Sequence, residues 1–325
     1  MKRILLLGVG RSTHTLIKYL DSYSSKLNIE IVLADQKTND FIKPYLLKDR
    51  FTFVHFDVNH TVLRKELISG VDLVISMLPP IFHYLVAKDC VHYAKNLITA
   101  SYVSNEIEKL DDAAKKAGII ILNEIGLDPG IDHVSAMDMI DKLKQKGAII
   151  KVFKSFCGGL IAPDYDDNPW NYKFTWNPKN VVLAGQSGAT YLKKSKIKSY
   201  PYKDVFSNLE KVMIPDYGEF ESYANRNSLH YQKKYNLSNT DTIVRGTLRK
   251  VGFSKAWNVF VQLGMTSDDP NEPIVNSEKF NKYLKSIDDN DILEKMAYLD
   301  LFSEKNIEIK YNSNADYLIS ILKQK

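Results

Sequence analysis

The sequence predicts an α/β chain: a doubly wound parallel sheet first, then an α+β domain built on a mixed, mainly antiparallel sheet. Three observations predict it. An apolar run, Ile4 to Leu7, stops at Gly8 and Gly10, and Leu16, Ile17 and Leu20 then recur at helical spacing, so the chain opens as strand, tight turn and helix. Short apolar, β-branched runs alternate with helical stretches as far as Ile119–Leu122, as βαβ units do. From Ile149 onward that alternation is lost. The 325 residues suffice for two domains of ordinary size, with expected bounds 1–130 and 131–325.

The glycine pair opens a phosphate cradle. Gly8 takes the dihedrals of the turn without a Cβ penalty, and Gly10 leaves room for a pyrophosphate against the backbone. Arg11 and Ser12 begin a helix whose free N–H groups face that anion. The third glycine of the usual fingerprint is replaced by Thr13. Ile29 to Ala34 reads as a parallel strand covered on both faces, and it ends at Asp35. A carboxylate there accepts from the adenosine ribose hydroxyls and repels a 2′-phosphate, so NAD is the expected cofactor, with NADP possible because Lys37 lies close by.

The remaining strands carry further cofactor candidates at their carboxyl ends, where open parallel sheets bind ligands. Phe51 to Phe56 ends at Asp57 and Val58, expected at the adenine. A helix follows over Val62 to Ile68. Val71 to Ser76 runs into Met77-Leu78-Pro79-Pro80, and Ser76, Leu78 and Pro79 join the cofactor set. Ile81 to Tyr93 is expected as a helix with Val86, Cys90 and Tyr93 inward. Asn96 to Ala100 is the fifth strand, leading to Ser101 and Tyr102, and Glu106 to Ala117 is a helix stopped by Gly118.

Composition excludes several classes. Hydrophobic content of 44% and charged content of 26% are those of a soluble globular chain, and no run approaches the roughly 18 apolar residues of a membrane span. The short apolar start is explained by strand one rather than by a signal peptide, so a cytoplasmic protein is expected. Two cysteines make no disulfide framework, and no metal site is expected. The formal charge of +5 is spread out, and Lys193 to Lys198 reads as a solvated face rather than a nucleic-acid footprint.

The pattern changes at Asn123-Glu124-Ile125-Gly126-Leu127-Asp128-Pro129-Gly130-Ile131-Asp132-His133, which is too polar for core and too punctuated for a helix interior. Leu127 joins the cofactor candidates. Asp128 is either the cap of a helix over 131–146 or a functional carboxylate. Ile149 to Phe156 is a strand, and Cys157-Gly158-Gly159 permits a ligand to approach the backbone closely. Further strands are expected at 211–214, 219–223 and 242–251. The aromatics of Asn168 to Trp176 are expected mainly as core or dimer interface.

Four segments together carry a resemblance: residues 123–133, Ser155 to Leu160, Asn168 to Trp176, and Val244 to Arg249. In this order and spacing they resemble the saccharopine dehydrogenase (glutamate-forming) or saccharopine reductase family, from Lys2 to about Phe302. The resemblance implies a Rossmann-like domain joined to a substrate and dimerisation domain, a homodimer, and a place in lysine metabolism. It implies hydride transfer between a nicotinamide and saccharopine, which is interconverted with glutamate and 2-aminoadipate 6-semialdehyde. Fungal reductases of the family place an arginine-bearing segment after the second strand, whereas Asp35 resembles the catabolic, NAD-using members. Family members also continue past the end of this sequence. The helix bearing Tyr317, Leu318, Ile321 and Leu322 is therefore expected to lack its usual cover.

Saccharopine has three carboxylates and a secondary amine, which call for fixed cations, and a planar guanidinium meets a carboxylate bidentately. Arg226 and Arg245 are the candidate clamps, supported by the resemblance; Arg249 shares a face with Arg245 on a strand. Asp128 is the best-placed carboxylate for proton transfer, with Cys157 and Tyr102 as helpers and Gly158 in the substrate set. The competing readings are an NADPH-linked reductase, a carboxynorspermidine dehydrogenase-like enzyme with a more cationic substrate, and a homologue that binds cofactor without turnover.

Overall fold

The computed structural model describes residues 1–175, 177–302 and 311–323. It divides into two compact units, Met1–Ser135 and Ala136–Lys325.

The first unit holds six strands: β1 (Lys2–Leu7), β2 (Ile29–Asp35), β3 (Phe51–His55), β4 (Leu73–Ser76), β5 (Asn96–Thr99) and β6 (Ile121–Leu122). All pair in parallel, in the order β3-β2-β1-β4-β5-β6. Strand order therefore reverses between β1 and β4, which opens a crevice at their carboxyl ends. The connecting helices include α1 (His14–Ser24), α2 (Thr61–Ser69) and α3 (His83–His92). Side chains of one strand alternate between two cores: Leu5 and Leu7 lie in one with Val32, Val74 and Leu97, and Ile4 and Leu6 in the other with Ile31, Leu33 and Ile75. Burial on both faces is why Ile4–Leu7 of β1 and Ile31–Ala34 of β2 read as unbroken apolar runs.

Two expected helices differ in detail. The stretch from Ile81 starts as a 3-10 turn, Pro80–Phe82, before α3. The stretch 106–117 divides into Asn105–Glu108, capped by the Ser104 hydroxyl at the Ile107 N–H (3.3 Å), and Asp111–Lys116.

The second unit holds β7 (Val152–Cys157), β8 (Ala189–Lys193), β9 (Lys196–Tyr200), β10 (Leu209–Ile214), β11 (Gly218–Ala224), β12 (Arg226–Asn227) and β13 (Thr242–Lys250). The path runs β10-β11-β13-β8-β12, with β7 parallel to β13 and β9 antiparallel to β8. The lysine-rich stretch at 193–198 is the β8–β9 hairpin, turned through Lys194 and Ser195 at φ +50° and +60°. Its alternation is hidden by lysines on an exposed ribbon, so the sequence reads only as a charged face.

The helix Phe253–Leu263 is buried almost all round. Trp170 stacks on Phe260 at 5.7 Å between ring centroids, and its indole N–H donates to the Lys295 carbonyl at 2.8 Å. The aromatic segment is thus core over its described part; Trp176 lies outside the described residues. The expectation for the last helix is corrected. Asn314–Leu322 packs Tyr317, Leu318, Ile321 and Leu322 into this same aromatic core, where all four are buried. Cover comes from the second unit itself, through side chains that no local pattern announces.

Candidate active site

In the first unit the site begins at the β1–β4 crevice. Gly8 sits at φ +88°, and a Cβ there would come within 2.9 Å of the Met77 carbonyl, so both conformation and space demand glycine. Around Gly10 the opposite holds. A Cβ would meet nothing within 4 Å, which leaves an open cradle before the helical turn at Arg11–Thr13. Thr13 is buried, and its hydroxyl donates to the Gly10 carbonyl at 2.7 Å. A hydroxyl bonded back across the turn thereby takes the position of the third glycine. These residues fit a dinucleotide pyrophosphate.

The middle residue of the turn is held from both sides. Val9 N–H donates to Asp35 Oδ2 at 2.5 Å, and the Asn39 side chain donates to the Val9 carbonyl. Gln36 N–H donates to the other Asp35 oxygen at 2.6 Å. Asp35 therefore shapes the turn. Farther along the same edge, Val58 is buried in the core and its carbonyl accepts from Arg64 Nη1, while Arg64 Nε donates to Asp89 at 2.7 Å. Asp57 is the exposed member of that pair of candidates and holds the Asn59 N–H at 2.8 Å.

Ser76 is buried and Leu78 half-buried, whereas Pro79 and Leu127 are exposed. The loop 123–133 closes on itself through Gly126 N–H to the Pro129 carbonyl and Ile131 N–H to the Gly126 carbonyl, both at 2.9 Å. Gly130 N–H donates to Asp132, and the Tyr102 hydroxyl donates to Asp128 Oδ1 at 2.7 Å. The structure brings this predicted pair together. Glu124 anchors the loop: its N–H meets the Ser101 carbonyl at 3.0 Å and its carboxylate accepts from Val103 N–H at 3.2 Å. Glu124 also lies 3.5 Å from His133 Nε2.

In the second unit, the register of β13 against β7 sets Arg245 opposite Ser155 and Thr247 opposite Cys157. Arg245 and Cys157 therefore share one face of the sheet, two positions apart. Arg245 is 8% exposed; its guanidinium lies over the Tyr231 ring at 4.5 Å and donates to the Tyr231 hydroxyl at 2.5 Å. Arg226 is exposed, at φ +54°, and its neighbour Asn225 donates its N–H to the Arg245 carbonyl at 3.0 Å. The two predicted arginines thus occupy adjoining backbone. Arg249 is a different case: buried, ringed by Tyr172 and Phe253, and bonded to the Leu248 carbonyl at 2.8 Å, it serves packing.

Gly158, expected beside a ligand, is half-buried with one side filled. A Cβ there would fall 2.3 Å from the Leu248 carbonyl oxygen, so the close neighbour is strand β13. At Gly159 nothing lies within 4 Å, and the open backbone is there.

Three supporting residues escape sequence reasoning: Asn39, Glu124 and His83. For His83 a signal existed. It stands three residues before Val86 and seven before Cys90, on the same inward stripe.

Comparison with known proteins accounts for this arrangement. Residues 126–325 match the saccharopine dehydrogenase C-terminal domain, and residues 4–122 match the saccharopine dehydrogenase NADP binding domain. The chain belongs to the saccharopine dehydrogenase family. Within that family it is 34% identical over 341 residues to the saccharopine dehydrogenase [NADP(+), L-glutamate-forming] of Saccharomyces cerevisiae, covering 96% of this chain and 75% of the relative. It is 40% identical over 272 residues to the mitochondrial alpha-aminoadipic semialdehyde synthase of Rattus norvegicus, covering 81% of this chain but only 28% of that longer protein. The solved apo saccharopine dehydrogenase (L-Glu forming) of Saccharomyces cerevisiae superposes with a TM-score of 0.81 at 31% identity, over 100% of this chain and 77% of that one. Family membership brings with it a nicotinamide cofactor domain in the first unit. None of the described helices is long and apolar enough to cross a membrane.

Proposed function

We propose that the chain is a saccharopine dehydrogenase-like oxidoreductase of lysine metabolism, interconverting saccharopine with glutamate and 2-aminoadipate 6-semialdehyde. The observation that carries this reading is the Tyr102–Asp128 pair at the carboxyl edge of the parallel sheet, in a family whose two domain models both match. When bound, a nicotinamide supplies the hydride acceptor for the substrate carbon beside nitrogen. Gly8, Gly10 and the Arg11–Ser12 turn hold its pyrophosphate. Asp128 accepts the substrate amine proton before oxidation, and Tyr102 orients that carboxylate. Water then adds to the imine carbon, and Asp128 moves the proton that releases the amine. Arg226 and Arg245 bind substrate carboxylates, while Cys157 assists in positioning.

The names of the relatives and the matched domain favour NADP. One observation favours NAD instead: a carboxylate, Asp35, ends β2 and faces the glycine turn, where it opposes a 2′-phosphate. The test is a saccharopine oxidation assay that follows reduced cofactor, run separately with NAD and NADP. Cofactor binding without oxidation of saccharopine by either dinucleotide would sink the enzymatic reading. The ratio of the two kcat/KM values decides the cofactor.

A further inference from the structure

His83 is a buried imidazole at the carboxyl ends of β4 and β5, and no step above uses it. It opens α3 and is 1% exposed. Its Nδ1 lies 3.0 Å from Ser76 Oγ, at the end of β4. Its Nε2 lies 2.8 Å from Ser101 Oγ and 3.1 Å from Thr99 Oγ1, at the end of β5. The ring thus bridges two neighbouring strands where the sheet binds ligands. Ser101 leads directly into Tyr102, whose hydroxyl holds Asp128.

Both ring nitrogens face hydroxyls, which can donate or accept, so the partners allow either tautomer. Burial pushes His83 down to about 4, so the ring is neutral at physiological pH. A neutral imidazole has one donor and one acceptor nitrogen. Thr99 Oγ1 already accepts from the Ser101 N–H at 3.3 Å, which leaves its own proton free to point at Nε2. With Nε2 as acceptor, Nδ1 carries the hydrogen and donates to Ser76.

We propose that His83 is a positioning residue: a neutral Nδ1–H imidazole that ties β4 to β5 and, through Ser101, sets Tyr102 against Asp128. Its catalytic consequence rests on the role proposed above for that pair; its structural consequence does not. Two substitutions separate the two arms. In His83→Gln the side-chain amide reaches the place of Nε2 and keeps the Ser101 arm. In His83→Asn it reaches only the place of Nδ1 and keeps the Ser76 arm.

The test is nuclear magnetic resonance on the whole chain. Nitrogen shifts of the wild-type imidazole should show Nδ1–H, unchanged from pH 8 down to about 5. With tyrosines labelled at Cζ, and Tyr102 assigned through Tyr102→Phe, the Tyr102 resonance should move in His83→Asn and His83→Ala and stay near its wild-type position in His83→Gln. Turnover should fall by up to about tenfold in His83→Asn, with KM for the dinucleotide changed less, and by no more than about twofold in His83→Gln. The proposal is overturned by a wild-type ring protonated at Nε2 or titrating near its ordinary pKa. It is equally overturned by a Tyr102 resonance that is unmoved in all three variants while they remain folded. Should the variants not fold, the wild-type tautomer decides. If the wild type fails to oxidise saccharopine, the resonance measurements still judge His83, so the two readings fail separately.

Discussion

The Tyr102 hydroxyl stands 2.7 Å from Asp128 Oδ1, joining the segment after β5 to the tip of the loop that follows β6. The aromatic ring is half-buried and the carboxylate exposed, and the phenol orients the acid through this hydrogen bond. Removing the acid and removing its orienting group should therefore differ in size. Asp128→Asn is expected to lower kcat by about 10²–10⁴-fold, the usual contribution of a general base, and Tyr102→Phe by roughly tenfold. The double variant should be little worse than Asp128→Asn alone, since residues acting as a unit do not add. Steady-state kinetics on the three proteins checks this. Unchanged turnover in Asp128→Asn would leave positioning and charge, not a base, as the protein's contribution.

The two arginines should separate stability from binding. Arg226 is exposed, so Arg226→Ala is expected to raise KM for saccharopine by about tenfold or more with little effect on melting temperature. Arg245 is buried over Tyr231, and Arg245→Ala should both weaken substrate binding and lower the melting temperature. Arg245→Lys should not rescue binding, because a point charge lacks the planar fork. Scanning calorimetry beside substrate titration reads both effects.

Asp35→Ala should act twice. Loss of the carboxylate removes the acceptor for Val9 N–H and Gln36 N–H, which loosens the glycine turn and weakens both dinucleotides. It also removes a negative charge from the path of a 2′-phosphate, so the NADP/NAD affinity ratio should rise, by about tenfold for a like-charge repulsion of roughly 1.4 kcal/mol. Fluorescence titration with each reduced dinucleotide measures the ratio. A fall in that ratio would remove Asp35 from cofactor selection.

Acid should destabilise the first unit through His83. Its folded value is about 4 against an ordinary 6.5, because burial disfavours the charged ring. Between those two values the unfolded chain binds the proton and the folded chain does not. Stability is therefore full above about pH 6.5 and is lost as pH falls toward 4, by about 3 kcal/mol in total. His83→Gln cannot titrate, so its stability should fall less over this window. Denaturant melts at pH 7 and pH 4.5 for both proteins give the difference, and parallel losses in the two would refute the assignment.

The neighbouring glycines make the sharpest structural contrast. Gly158→Ala drives a methyl group to 2.3 Å from the Leu248 carbonyl and should cost about 1–3 kcal/mol or more as β7 and β13 separate. Gly159→Ala meets no atom within 4 Å and should be tolerated in the free protein. Thermal melts of the two variants decide between a glycine kept for packing and one kept open.

Local chemistry made much of this molecule legible. A glycine pair after an apolar strand, and strands buried on both faces, leave marks that need only near neighbours: Gly8, Gly10 and Asp35 were readable because turn geometry and strand burial act within a few residues. The Tyr102–Asp128 candidates were readable as residue types at strand ends, though nothing in the sequence states their 2.7 Å separation. Other roles were set by contacts distant in sequence. Gly158 answers to the carbonyl of Leu248, ninety positions on. The Val58 side chain is buried in the core, and its carbonyl is held by Arg64. Tyr317 and Leu318 are covered by an aromatic cluster centred on Trp170 and Trp257. The sequence by itself determined the parallel order of alternating elements, the phosphate turn and the residue types at the strand ends, because backbone propensity and periodic burial are local. Only the tertiary structure decided which glycine lies against a neighbouring strand and which faces open space, which arginine is packed, and that His83 links β4 to β5. Those outcomes depend on which surfaces meet when the chain closes, and one-dimensional spacing does not carry that information.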